Sequence, residues 1–321
     1  MRIKSELTRS PHWRSILQWF DSYADDTRAT PPSKRNVDWV RAIPFILIHF
    51  SPLMVLFVGW SNVAIVTALF LFAIRMFAIT AFYHRYFSHK AFQTSRFMQF
   101  IFAAIGSSAI QRGPLWWASH HRQHHARSDK KQDEHSPQQH GFLWSHMGWF
   151  LAPHNFRTNL NHVKDFAKYP ELRFVDRFDI LIPLLVAMMI YFIGNWLNVH
   201  HPEFNTNGLQ MLIWYAISTL VLYHVTFTIN SLAHRYGTRR YNTADDSRNN
   251  FALAVLTFGE GWHNNHHHYP GSAKQGFYWW EIDITYYGLK IMQSLGLIWS
   301  LRPVPQRVLN QAVETHSTMR S

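Results

Sequence analysis

Val63-Ala-Ile-Val-Thr-Ala-Leu-Phe-Leu-Phe-Ala-Ile-Arg75-Met-Phe-Ala-Ile-Thr-Ala-Phe-Tyr83 runs without interruption into His84-Arg-Tyr-Phe-Ser-His89. The apolar part is close to the ~20 residues that a helix needs to cross a ~30 Å hydrocarbon core. The polar end offers two imidazoles, and neutral imidazole is the commonest side-chain metal ligand at physiological pH. Two further boxes follow, His121-Arg-Gln-His124-His125 and His263-Asn-Asn-His266-His267. Eight such nitrogens exceed what one four-coordinate zinc can use, so the boxes imply two metal ions. Imidazole suits iron, copper, nickel and zinc, and ligand type alone leaves the metal open.

Working outward, three more apolar runs have membrane-spanning length. The spans read as about 42–60, 63–83, 178–199 and 209–229. No Lys or Arg occurs from Ala42 to Ile74 or from Phe178 to His234, although the chain carries a net charge of +12. Positive charge that avoids particular loops is the positive-inside signature of a membrane protein, and it explains the basicity without nucleic acid. The expected architecture is an all-α integral membrane protein. Four transmembrane helices form two hairpins, capped by a cytoplasmic helical domain that carries the histidine boxes. Residues 1–41 read as a cytoplasmic N-terminal segment, 42–305 as the membrane domain and 306–321 as a tail. Arg75 must face the protein interior or snorkel. Phe97–Trp117 and residues 278–299 are apolar but interrupted by polar groups, and read as interfacial or re-entrant helices. No leader is expected, and with no cysteine, disulfides and thiolate-bound metals are excluded.

Boxes two and three have spacing i, i+3, i+4, which gathers three imidazoles on one helical face. Pro270 should end the third helix. Box one, at i and i+5, cannot share a face of an ideal α-helix, so His84 and His89 are expected to straddle a helix end. Asn230-Ser-Leu-Ala-His234 closes the last span. At i, i+4, His234 becomes a ninth ligand candidate, and Asn230 a candidate to hold a metal-bound water through its amide. His120 and His268 adjoin boxes but fall off the shared face, and His49 and His224 lie inside apolar runs, where they read as helix-packing groups. No carboxylate lies inside a box. The Glu-x-x-His pairs of soluble di-iron bundles and the His-Glu-x-x-His of zinc proteases are absent. Asp129, Asp133, Asp245, Asp246 and Glu260 lie nearby and suit the orientation of imidazoles through their far nitrogens.

His84 to His89, Trp117 to His125, Gly259-Glu-Gly-Trp-His263-Asn-Asn-His266-His267, and Asn230 to His234 followed by Tyr236-Gly237 together resemble the integral-membrane fatty acyl desaturases of the delta-9 type, in their bacterial form. The resemblance covers about residues 42–305. It implies two iron ions held by His84, His89, His121, His124, His125, His234, His263, His266 and His267, with Asn230 acting through water. It implies oxygen-dependent introduction of a cis double bond into a saturated acyl chain, with an acyl-CoA as the expected substrate and an acyl-lipid as the alternative. The active site would face the cytoplasm at a bacterial inner membrane. Ser119 and His120 stand where the animal acyl-CoA enzymes carry Arg-Asp, which bears on the carrier. Lys130, Lys131, Arg157 and Lys164 are cations that could meet CoA phosphates or anionic lipid heads. No fused haem module is seen, so electrons are expected from a separate ferredoxin, rubredoxin or b-type cytochrome with its reductase. A hydroxylase or other monooxygenase on the same scaffold is the next reading. A non-enzymatic membrane metal-binding protein would place its ligands within the spans, and these boxes lie outside them.

Overall fold

The computed structural model of the protein describes residues 11–24 and 36–312. Parts of the N-terminal segment 1–41, with Pro31 and Pro32, and of the tail 306–321 lie outside the described residues. The described chain is mostly helical, with one two-residue ladder in which Gln93 and Thr94 pair antiparallel with Trp299 and Ile298.

A short helix, α1 (Pro11–Leu17), precedes the first apolar run. That run is not one rod. It forms α2 (Trp39–His49) and α3 (Ser51–Val58), bent by 43° at Phe50. Pro44 lies inside α2 and Pro52 in the first turn of α3. Each lacks a backbone N–H, and its ring crowds the preceding turn. The second span, α4 (Asn62–Phe77), starts at Ser61, whose side chain accepts from the Ala64 N–H. It continues unbroken as a π-helix from Ala78 to Ser88. The later spans are α5 (Leu181–His200) and α6 (Gly208–Ser231). Among the described residues, three helices are thus long and apolar enough to cross a membrane, and a fourth crossing exists if the bent pair counts as one. Their outer faces are apolar: Leu56, Phe57 and Phe192 are 82%, 80% and 66% exposed, surface that water would not tolerate in such amounts. Gly194 and Gly208 let α5 and α6 cross closely, since a Cβ at either would meet the partner backbone within 2.8 Å.

Arg75 faces inward, as its charge requires. Its nitrogens donate to Leu71 O, Thr219 Oγ1 and Ser218 Oγ at 3.0, 2.6 and 2.7 Å, and the guanidinium lies 4.6 Å from the Tyr215 ring centroid.

The stretch Phe97–Trp117 is not a single helix either. It divides into α7 (Arg96–Ser107) and α8 (Pro114–Arg127). The break holds Ile110 and Arg112 at φ of 59° and 70°. Gly113, the residue before α8, has no side chain to cap it. Asp176 does so instead, accepting from the Leu115 and Trp116 N–H groups at 2.8 Å each. The break lets α8 turn back and carry box two to the end of the π-helix. Residues 278–299 contain only α9 (Ile284–Ser294) before the strand.

The main core surrounds the π-helix, where Phe82 stacks on Phe102 at 3.9 Å and Tyr83 and Phe87 are fully buried. Gly106 is the seat of the Tyr83 ring, and a Cβ there would lie 2.1 Å from it. Gly106→Val should therefore cost about 1–3 kcal/mol through overpacking. Thermal unfolding in detergent tests this, and an unchanged midpoint would refute the close approach.

Candidate metal centre

The nine histidines expected from the sequence come together in two groups. His84, His89, His121, His125 and His266 form one, and His124, His234, His263 and His267 the other. Within each group the ligand nitrogens lie within 4.8 Å of one another. The contacts are between Nε2 atoms: His84 to His266 at 3.0 Å, His89 to His121 at 2.8 Å, His125 to His266 at 2.9 Å and His234 to His263 at 3.0 Å.

Local structure explains the partition. In the π-helix the backbone bonds i to i+5, and the His89 N–H reaches His84 O at 3.3 Å. Residues five apart therefore stand on one side, which an ideal α-helix forbids. In α8, His121 and His125 serve the first group and His124 reaches the second. In α10 (His263–His268), His263 and His267 serve the second group and His266 the first. The i, i+4 pair stays together in each box while the residue between crosses over. His234 lies three residues beyond the end of α6.

Four carboxylates fix the rings. His124 Nδ1 donates to Asp133 (2.9 Å), His234 Nδ1 to Asp129 (2.8 Å) and His267 Nδ1 to Asp245 (2.7 Å), and His84 Nδ1 contacts Glu260. A carboxylate can only accept, so each of these Nδ1 atoms carries the proton and each Nε2 keeps its lone pair. His124 and His267 then aim two lone pairs at each other across 3.4 Å. A cation held between them would relieve that arrangement. The donor set thus fits metal ions on its own chemistry. Burial and the neighbouring imidazoles push His121, His125 and His266 well below the ordinary imidazole range, and burial does the same for His263. They stay neutral and ready to ligate.

Asp246 differs from the other acids. Its backbone N–H donates to Asp129 at 2.8 Å, and its carboxylate faces Arg239, not an imidazole. Glu260 also meets Arg85 at 3.2 Å, a fully buried cation shared with Asp283 at 2.9 Å. Gly259, at φ 125°, lies where a Cβ would strike Asp283, and Gly261 where one would strike the Ala254 backbone. These contacts are why the third box is flanked by glycine. The two asparagines inside that box are fully buried. Asn264 and Asn265 donate their backbone N–H groups to Asn249 Oδ1 at 3.0 and 3.1 Å, and Asn264 Oδ1 accepts from the Tyr241 N–H. Sequence reasoning passed over them. Polar residues between ligands on a short helix were the available signal.

His120 and His268 stay outside both groups. His120 packs on Trp116 at 4.5 Å, and His268 stacks on Tyr241 at 4.2 Å. His49 and His224 meet through Nε2 atoms at 3.1 Å and pack helices together, as expected.

A cavity of about 420 Å³ opens onto both groups. His84, His121, His124 and His263 line one end of it, with Asn230, whose amide makes no hydrogen bond among the described residues. Its walls are mainly apolar, from Phe45, Ile48, Met76, Ile79, Tyr223 and Phe227.

The fold and site define a helical membrane protein with two groups of histidines that could each hold a metal ion, beside an apolar cavity. The family model for fatty acid desaturase matches residues 59–290, and the chain belongs to that family. It is 36% identical over 210 residues to the sn-2 palmitoyl-lipid 9-desaturase of Nostoc sp. (strain 36), covering 64% of this chain and 69% of the relative. It is 32% identical over 269 residues to the sn-1 stearoyl-lipid 9-desaturase of Anabaena variabilis, covering 83% and 94%. It is also 36% identical over 230 residues to the icosanoyl-CoA 5-desaturase of Limnanthes douglasii, covering 69% and 60%.

Asp245→Asn should lower metal affinity by about 10–100-fold, because His267 loses the partner that fixes its tautomer. Asp246→Asn should leave it unchanged. Metal content after graded chelation distinguishes the two, and equal behaviour would refute the assigned hydrogen bonds.

Proposed function

We propose that the chain is an oxygen-dependent desaturase that introduces a cis double bond, at the delta-9 position, into a saturated fatty acyl chain held in a membrane lipid. The observation that carries this reading is the apolar cavity ending on both histidine groups. Only a long apolar substrate suits such a space. The nine histidines would hold two iron ions, and iron with oxygen supplies the oxidant that an unactivated methylene requires, since no side chain can remove its non-acidic hydrogens. The residues around the centre then have defined work. Asp129, Asp133, Asp245 and Glu260 hold the rings in one tautomer. Asn230 offers an amide to a water at the site. Tyr223 and Phe227 wall the acyl chain away from bulk solvent. The balance is one saturated chain, one oxygen molecule, two electrons and two protons in, and one alkene and two waters out. The electrons come from a separate redox protein.

The lipid ester is favoured over CoA by the cavity lining. Lys130, Lys131, Arg157 and Lys164 do not line it, and its arginines are matched by carboxylates. The thioester is the second reading, and the likeness to the icosanoyl-CoA 5-desaturase supports it. Membrane topology follows the charge pattern: two hairpins, with the histidine centre and both chain ends on the cytoplasmic face of the bacterial inner membrane.

Expression in a host lacking desaturases tests the proposal. Lipid mass spectrometry should show acyl chains that have lost two hydrogens, with the double bond at carbon 9 of esterified chains. Chains that instead gain one oxygen would make the protein a hydroxylase.

A further inference from the structure

We infer that Arg112 is a positioning residue that holds the carbonyl oxygen of the acyl linkage in the cavity. The inference rests on the acyl reading above. Ile110, Gln111 and Arg112 all line the cavity, and two of the three are L-residues in the left-handed region. Such a conformation persists only where its surroundings impose it. Here Tyr223 Oη donates to Ile110 O at 2.7 Å, Tyr83 Oη to Arg112 O at 3.3 Å and Gln111 Nε2 to Thr226 Oγ1 at 3.1 Å. The strained turn aims the Arg112 side chain at the cavity.

The guanidinium itself is half engaged. Nε donates to Asp179 Oδ2 at 2.8 Å. The group lies 3.9 Å from the Phe156 ring centroid and 5.0 Å from that of Trp116. Neither terminal nitrogen has a hydrogen-bond partner among the described residues. The side chain is 20% exposed, so these donors are open to an acceptor brought by the ligand. Asp179 neutralises the charge, and Arg41, 4.0 Å from the same Phe156 ring, has Asp38 at 3.7 Å. The locality is therefore uncharged, which suits a neutral carbonyl better than a phosphate. Lipid ester and CoA thioester share that carbonyl. From Pro114, two residues beyond Arg112, to His121 is seven residues of α8, about 10 Å of helix. A carbonyl fixed at Arg112 would thus set which carbons reach the metal centre.

The test uses the purified full chain and three radiolabelled ligands: palmitoyl-CoA, a 1-palmitoyl lysophospholipid and hexadecane. Wild type should bind at least one carbonyl ligand more tightly than hexadecane. Arg112→Gln should weaken that binding about 10–100-fold, the range for a hydrogen bond to a charged group, and leave hexadecane unchanged. Arg112→Lys keeps one cation for Asp179 but has no second nitrogen to spare. It should fold as wild type and show the same loss. In turnover, both variants should spread the double bond over neighbouring carbons. The ligand that loses affinity identifies the carrier. Carbonyl binding unchanged in both variants, or hexadecane binding lost in parallel, would overturn the inference. Arg112-dependent binding with no alkene formed in wild type would instead overturn the desaturase reading and leave this assignment standing.

Discussion

A neutral imidazole carries one ring proton, and whichever nitrogen donates it leaves the other as a lone pair. The acceptors at Asp129, Asp133, Asp245 and Glu260 make that choice for His234, His124, His267 and His84. Everything else in the molecule serves this choice. Lone pairs packed as closely as those of His124 and His267 repel, and a cation held between them would offset that repulsion. The acids are held in turn. Asp129 accepts from Ser136 and the Asp246 backbone, Asp245 from Ser247, and Glu260 from Gln275 and Arg85. A centre held this way has its rings fixed by the surrounding fold.

The membrane and the centre depend on each other through the π-helix. The span that begins at Ser61 ends at His84 and His89, so the same helix carries an apolar, membrane-length segment and two residues of the histidine group. The wider i to i+5 winding turns both imidazoles to one side. Helices α2 and α6 then wall a cavity that reaches the histidines. A substrate with a long apolar tail can be housed there with its reacting carbons beside the histidines.

The sequence revealed what is local. The clustering of the histidines followed from spacing: i, i+3, i+4 in two boxes and i, i+4 for Asn230 and His234. Three of the four expected spans followed from apolar length and from the missing Lys and Arg, and the first is a bent pair. What stayed hidden depends on partners far along the chain or on non-α geometry. Nothing in His84-Arg-Tyr-Phe-Ser-His89 announces a π turn. Asp245 and Asp246 are adjacent acids, and only the fold decides that the first meets an imidazole. Asp176 caps a helix more than 60 residues earlier, which no local pattern shows. The division of boxes two and three between two groups arises because their two helices converge with the end of the π-helix and with the chain beyond α6, an arrangement that spacing alone does not specify.

The central claim is that nine histidines form two adjacent metal positions, one among His84, His89, His121, His125 and His266 and the other among His124, His234, His263 and His267. Anomalous diffraction at the iron edge, from crystals of protein purified with its native metal, measures this directly. The account predicts two iron peaks, one inside each group. A single peak shared by both groups, or iron bound elsewhere with these histidines unligated, would contradict it.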